Sequence, residues 1–220
     1  MLLFEVTLMP SFGLVQEILE KWRRGARGPL PQLTPLKLLE AVLVIDEEGP
    51  VGRRLLALAL GINDGVARGL LERLADEGLV SVGEAGVKLS KNGKTRLSHL
   101  LSDLSVKKIE RLELNEIVPE YVAVAIHLAD AYKQGITGIA QRDEAVRAGA
   151  EGAITFGIKQ GRLVSPPDGK DVAELSPGDD LLLRQTFSPS ENDMIVIGLA
   201  KDRYRALAGG LAAIFSLSQK

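Results

Sequence analysis

The residues of this chain whose types and spacing could do chemistry lie in the segment 52–97. Residues 63–77 have the spacing of an amphipathic helix, because their aliphatic side chains fall on one continuous arc and their polar side chains on the other. Arg68 stands in the middle of the polar arc, between Gly65 and Gly69. Glycines leave backbone exposed, so such a helix can approach a surface closely, and the positive end of its dipole favours phosphate.

Further elements and basic residues surround this helix. A short helix is predicted over residues 52–60, and the three-residue turn that follows it contains Gly61. Two helices joined in this way form a helix-turn-helix. Residues 79–82 and 87–90 predict two short strands, which make a β-ribbon, or wing. The residues predicted to contact phosphate are Arg53, Arg54, Lys88, Lys91 and Lys94. The residues predicted to lie nearest the bases are Asn63, Asp64, Gly65, Arg68 and Gly69.

If this module binds duplex DNA, its second helix lies in the major groove with the N-terminal residues nearest the base edges. Arg68 is the candidate for a guanine contact, and Asn63 or Asp64 for contacts to adenine or cytosine. Two alternatives stay open. Arg68 could instead pair with a carboxylate one turn away, Asp64 or Glu72, and the lysines could belong to a solvated wing surface.

The string VGRRLLALALGINDGVARGLLERLADEGLVSVGEAGVKLSKNG, residues 51–93, resembles the winged helix-turn-helix of many prokaryotic transcription regulators. In such families the turn reads glycine, a hydrophobic residue and serine or asparagine, followed by an acidic residue and a Val-Arg or similar pair. The corresponding residues here are Gly61, Ile62, Asn63 and Asp64, with Val66 and Arg68. The resemblance implies a DNA-binding domain whose partner is double-stranded DNA.

The second half of the chain differs in charge and in element pattern. Residues 1–112 carry a net charge of +2 and residues 113–220 a net charge of −4, which predicts a domain boundary between them. Strands are predicted over residues 121–126, 153–159, 162–165, 181–186 and 194–200, and helices over 142–149 and 203–219. We therefore predict an α+β fold, in which a winged helix-turn-helix domain precedes an α+β sandwich with a mostly antiparallel sheet and helices on one side.

A second resemblance is carried by QRDEAVRAGAEGAITF, residues 141–156. With the winged head, this run resembles a small archaeal two-domain family whose C-terminal domain is catalogued as domain of unknown function 4443. That family implies no established activity. The absence of cysteine and the small number of asparagines are typical of a thermophile.

Composition excludes several kinds of site. The chain has no cysteine, which excludes disulfides, thiolate metal sites and cysteine nucleophiles. His99 and His127 lie far apart in sequence, and His127 is interpreted as a core residue. We predict no metal site, no cofactor, no catalytic residues and no enzymatic activity. The apolar start lacks a basic region, and no apolar run reaches the ~18–20 residues of a membrane span, so a cytoplasmic protein without a membrane partner is expected.

These observations favour a transcription regulator. A homodimer is expected, because specific DNA sites usually contain two half-sites. Its interface could come from a helix predicted over residues 11–24, from an apolar helix predicted over residues 35–46, or from the acidic half, which could also bind a small-molecule effector. Two other functions stay open: a winged-helix adaptor that assembles proteins without binding DNA, and an enzyme whose second half binds a small metabolite.

Overall fold

The computed structural model describes residues 34–219 of the chain. The helix predicted over residues 11–24 lies outside the described residues. The chain divides into two units between Asp103 and Leu104. This division precedes the predicted boundary between residues 112 and 113, because Val106–Leu112 forms a strand that pairs within the second unit.

The first unit has the element order of a winged helix-turn-helix. Its helices are α1 (Pro35–Glu48), α2 (Arg53–Leu60), α3 (Asp64–Asp76) and α4 (Lys91–Asp103). Between α3 and α4, strands β1 (Val80–Gly83) and β2 (Gly86–Leu89) form an antiparallel hairpin, which is the wing. Val51, between α1 and α2, forms an isolated antiparallel bridge with Val87 of β2 and so pairs with the hairpin. The predicted helical N-terminal domain is confirmed.

Capping residues and an aliphatic core hold these helices in place. Thr34 caps α1 by accepting a hydrogen bond from the N–H of Lys37, and Pro35 occupies the first turn. Helix α2 ends at Gly61, whose φ of 62° is left-handed, as helix C-termini favour. The helices bury aliphatic side chains against one another: Leu38, Leu39, Val44, Ile45, Leu56, Leu60, Leu70 and Leu74.

One carboxylate, Glu40, lies inside this core and pairs with the half-buried Lys37. Glu40 is only 1% exposed, and its Oε2 lies 2.7 Å from the Nζ of Lys37. Lys37 also donates a hydrogen bond of 3.0 Å to the carbonyl oxygen of Leu60, the last residue of α2. Burial raises the pKa of Glu40 to about 7, although the nearby ammonium and its hydrogen bond act in the opposite direction.

We expect Glu40→Gln to stabilise the protein at neutral and alkaline pH. The folded chain keeps a proton on Glu40 up to a pH of about 7, whereas the unfolded chain releases it near 4.5. The contribution of Glu40 to stability therefore falls as the pH rises through that interval, by roughly 3 kcal/mol. Unfolding followed from pH 4 to pH 9 should show the difference between variant and wild type growing from acid to neutral pH. A difference that is the same at every pH, as expected for the exposed control Glu84→Gln, would contradict this account.

The second unit is built on a six-stranded antiparallel sheet in the order β3-β4-β8-β5-β6-β7. The strands are β3 (Val106–Leu112), β4 (Val122–Leu128), β5 (Gly152–Lys159), β6 (Arg162–Ser165), β7 (Lys170–Asp171) and β8 (Met194–Ala200). The helices are α5 (Ile139–Arg147), α6 (Val172–Leu175), α7 (Pro177–Phe187) and α8 (Arg203–Phe215), and a 3-10 turn follows at Ser216–Gln219. The predicted α+β class and antiparallel sheet are confirmed.

Helices cover both faces of this sheet, whereas the prediction had them on one side. Helices α5 and α8 pack on the face that includes Gly198. On the other face, Leu183 and Phe187 of α7 join a core with Ile195 and Ile197 of β8. Residues 181–186 were wrongly predicted as a strand. Pro177 and two first-turn aspartates start a helix there, and the spacing of Leu183 and Phe187 places both on its buried side.

The contact between α8 and the sheet is exceptionally close. A Cβ atom on Gly198 of β8 would lie 2.0 Å from the carbonyl oxygen of Ala206 and 2.4 Å from the backbone nitrogen of Gly210. Both of these atoms belong to the backbone of α8. Only glycine at position 198 therefore lets the helix pack at this distance.

The two edge strands of the sheet are β3 and β7. Strand β3 carries exposed lysines at positions 107 and 108 and an exposed arginine at 111, and its pairing with β4 is irregular between Val106 and Lys108. Strand β7 is only two residues long. Both edges therefore offer little regular, uncharged strand.

Candidate nucleic-acid interface

Local hydrogen bonds fix the turn between α2 and α3. The N–H of Gly61 donates hydrogen bonds to the carbonyl groups of Ala57 and Leu58, in the last turn of α2. The Oδ1 of Asn63 accepts a 2.9 Å hydrogen bond from the N–H of Val66 and so caps α3. This bond occupies the amide oxygen of Asn63 within its own helix. The side of α3 that packs on the core carries Ala67, Leu70, Leu71 and Leu74.

The opposite side of α3 is open along its N-terminal half. Asp64, Gly65 and Arg68 are exposed, and Gly69 is half-buried. A Cβ atom on Gly69 would meet nothing within 4 Å, and one on Gly65 would meet only the Oδ1 of Asn63 at 3.4 Å. The packing of the protein therefore leaves room for a larger residue at both positions. Glycine is present there although alanine would stabilise the helix more.

Two ion pairs lie on this open side. The Nε of Arg53 lies 2.7 Å from the Oδ1 of Asp64, which joins the start of α2 to the start of α3. The Nε of Arg68 lies 3.6 Å from the Oε1 of Glu72 one turn later, and both side chains are about two-thirds exposed. Exposed pairs of this kind contribute about 0–1 kcal/mol, so Arg68 can exchange Glu72 for another partner at little cost.

The pairing of Arg53 with Asp64 was missed from the sequence, which assigned one residue to phosphate and the other to a base. The contact depends on how α2 and α3 cross, and no local signal in the sequence specifies that. The alternative partner considered for Arg68 is present in this structure as Glu72, not Asp64.

The wing and the start of α4 carry the predicted lysines. Lys88 is exposed on β2 opposite Ser81, and Lys91 is the exposed first residue of α4. The Nζ of Lys94 lies 3.8 Å from the Oδ1 of Asp46 at the end of α1. Within residues 34–219, neither these first two lysines nor Arg54 forms an ion pair.

The string LSKNG has a structural role that sequence reasoning did not identify. Ser90 donates a 2.6 Å hydrogen bond to the carbonyl of Gly78 and accepts a 2.9 Å hydrogen bond from the N–H of Gly93. A Cβ atom on Gly93 would lie 2.0 Å from the carbonyl oxygen of Leu79. Ser90 and Gly93 thus join the base of the wing to α4 and orient the neighbouring lysines.

All ten residues predicted for DNA binding belong to the first unit. Nine are exposed and Gly69 is half-buried. The arrangement consists of an open helix side with exposed backbone, one arginine projecting from it, and cationic side chains on α2, on the wing and at the start of α4. It can meet a negatively charged, regularly spaced partner surface.

The fold and this surface define a class: a winged helix-turn-helix unit followed by a separate α+β unit. Residues 38–104 match the family model described as the CggR N-terminal DNA binding domain. Residues 119–217 match the model of DUF4443, a domain of unknown function. The two matches confirm both resemblances seen in the sequence, and together they correspond to a two-domain, regulator-like family.

A solved structure shares this fold. Hypothetical protein PH0730 from Pyrococcus horikoshii OT3 is similar with a TM-score of 0.68 and 22% sequence identity, over 84% of this chain and 93% of that one. At this identity the likeness shows the fold alone. Among curated proteins, none matches the sequence significantly.

In the second unit, the buried carboxylate of Asp193 forms hydrogen bonds with several segments of the chain. Asp193 accepts hydrogen bonds from the N–H groups of Ser190 and Asp130 and from the ammonium of Lys107, and the Nε2 of His127 lies 2.8 Å from its Oδ2. Burial alone would raise the pKa of Asp193, but these hydrogen bonds together hold it well below its ordinary value. His127 is buried, as its interpretation as a core residue requires.

A cleft of about 290 Å³ opens near the ends of β3 and β4. Tyr121 and Lys201 line it, together with Arg111 and Glu113. The Nζ of Lys201 lies 4.4 Å from the centre of the Tyr121 ring and donates a hydrogen bond to the carbonyl of Glu120. This volume lies just below the usual range of pockets that hold small molecules.

The described part of the chain does not meet the requirements of a metal site formed by three or more ligating side chains or of a membrane-spanning helix. Between residues 34 and 219, His, Asp and Glu side chains form no group of three or more that could hold a metal ion. None of the helices in the same range is long and apolar enough to cross a membrane.

Proposed function

We propose that this chain is a DNA-binding transcription regulator that reads duplex DNA with helix α3. The observation that carries the proposal is the open N-terminal half of α3, where exposed glycine backbone and Arg68 are flanked by basic residues. The similarity of residues 38–104 to a DNA-binding domain supports it. In this proposal α3 enters the major groove and the wing lies along the adjacent phosphate backbone.

Each predicted residue takes a role that its surroundings permit. Arg68 leaves Glu72 and contacts guanine, while Asp64, held by Arg53, accepts a hydrogen bond from a cytosine amino group. Arg53 uses Nε for this pair, and the rest of its five-donor guanidinium remains for a phosphate. The amide nitrogen of Asn63 remains for an adenine. The cations left for phosphate are Arg54, Lys88, Lys91 and Lys94, which position the protein without specifying sequence.

The protein acts as a homodimer in this proposal, with one first unit on each half-site. The second unit provides dimerisation, effector binding or both, and the cleft beside Tyr121 and Lys201 is the proposed effector site. Enzymatic activity of the second unit has no supporting observation among the described residues.

The test is selection of bound fragments from random duplex DNA, followed by salt titration of a selected duplex. Affinity should fall linearly with salt on logarithmic axes. Lys91→Ala should weaken binding to all duplexes alike and reduce the slope by about one, whereas Arg68→Ala should cost about 1–3 kcal/mol on the selected duplex and relax its sequence preference. Lys133→Ala, an exposed lysine of the second unit, is the matched control and should change neither quantity.

Two outcomes would contradict this account. If Arg68→Ala and Lys91→Ala have the same effect on every duplex, the roles assigned to these residues are wrong. If the chain has no affinity for duplex DNA, or an affinity that salt does not change, the regulator proposal is wrong.

A second candidate function is a winged-helix adaptor that binds protein. It is favoured by two large apolar side chains on the surface of the first unit, Leu58 on α2 and Val82 on β1, which are 74% and 71% exposed. Apolar side chains at the surface can anchor protein partners. The salt titration above also decides this case, because the adaptor needs no duplex.

A further inference from the structure

Helix α5 presents an outward side that combines two apolar residues with two opposite charges. Ile139 and Val146 are 61% and 48% exposed, and their spacing of seven residues places them on the same side of the helix. Arg142 and Asp143 lie between them on that side. The opposite side of the helix, which carries Gln141 and Ala145, is buried. We call Ile139, Arg142, Asp143 and Val146 the α5 face.

The charges of the α5 face have no ion-pair partner within residues 34–219. The next charges on the same helix do: Arg147 pairs with Glu144. The α5 face therefore carries an exposed cation, a half-buried anion and two exposed aliphatic side chains.

We propose that the α5 face is where a second copy of this chain docks, with the two α5 helices antiparallel about a two-fold axis. Placing the axis between positions 142 and 143 sets Ile139 of one copy against Val146 of the partner subunit, and Arg142 against Asp143 of the partner subunit. Every residue of the face then meets a residue of matching chemistry, as a self-complementary two-fold interface requires. A parallel pair would instead set Arg142 against itself.

The inference rests on the proposed function in one respect, namely that reading two half-sites calls for two copies. The contact itself follows from charge complementarity. A nine-residue helix is about 13 Å long, so the pair is the centre of a small interface, and a dissociation constant in the micromolar range is expected. The aliphatic residues provide buried area, and the crossed charges select the antiparallel arrangement.

Sedimentation of the full chain, without DNA and over micromolar concentrations, tests the inference. Wild type should show a reversible monomer–dimer equilibrium. Arg142→Asp and Asp143→Arg each set like charges opposite one another and should raise the dissociation constant about tenfold. The double variant Arg142→Asp/Asp143→Arg restores the crossed pairs and should return most of the affinity, a recovery that would not follow from damage to the fold.

The matched control is Gln185→Arg, which adds a charge to exposed surface on α7, on the opposite face of the sheet, and should leave the equilibrium unchanged. A chain that stays monomeric, or a dimer that neither single charge reversal weakens, would overturn the inference. The reading of duplex DNA and the docking of α5 also fail separately. A dimer that is weakened as expected but binds no duplex contradicts only the reading of DNA by α3. A monomer that binds duplex contradicts the docking of α5 and the homodimer, but not the reading of DNA by α3.

Discussion

Replacing Gly198 with alanine is expected to destabilise the second unit by about 3 kcal/mol or more. The new methyl group would lie 2.0 Å from the carbonyl oxygen of Ala206 and 2.4 Å from the nitrogen of Gly210. Neither atom can turn away as a flexible side chain would, because both belong to the backbone of α8. The helix would have to move off β8, and its buried aliphatic contacts with the sheet would loosen along its whole length.

Thermal unfolding checks this expectation, and the midpoint should fall by more than about 10 °C. Gly152→Ala is the matched control, because Gly152 is also a buried glycine of this sheet but a Cβ atom there would lie 3.8 Å from its nearest neighbour, the Cγ of Arg142. The control should unfold close to wild type. Equal, small effects of both substitutions would show that α8 does not approach β8 as closely as described.

Replacing Gly93 with alanine is expected to have a comparable effect on the first unit, again about 3 kcal/mol or more. A Cβ atom there would lie 2.0 Å from the carbonyl oxygen of Leu79, where the wing begins. Relieving that overlap would pull α4 away from the wing and break the hydrogen bond between Gly93 and Ser90. Under the proposed function, DNA binding would be lost together with stability.

Gly69→Ala is the matched comparison in the same unit, since a Cβ atom on Gly69 meets nothing within 4 Å. Alanine should raise the stability of α3 by up to about 1 kcal/mol. If α3 seats its open side on DNA, the added methyl group should nevertheless weaken binding. Unfolding curves measure the stability of the two variants, and duplex titrations measure their affinity for DNA. A Gly69→Ala protein that binds DNA as tightly as wild type would show that the backbone at Gly69 does not contact DNA.

The first unit could be predicted closely from the sequence because its elements are bounded by local signals. Gly61 and Gly78 adopt the left-handed conformation that ends helices, and Asn63 caps α3 with its own side chain. Each of these signals acts within a few residues. The apolar side of α3 also follows from its periodicity alone.

The second unit was harder to predict because its pattern is ambiguous. Residues 181–186 begin with three consecutive leucines, which suit a buried strand as well as a helix. Val106–Leu112 was not predicted as a strand, since it lies at the edge of the sheet and only its two end residues are buried. The ion pair of Arg53 with Asp64 depends on the crossing of two helices, which the sequence does not specify locally.

The charged, irregular β3 and the two-residue β7 also bear on aggregation. A long, flat and uncharged edge strand exposes unpaired N–H and C=O groups that can template the addition of another chain, as in amyloid. Neither edge of this sheet offers such a template. Copies of the chain are therefore discouraged from joining strand to strand into open-ended polymers.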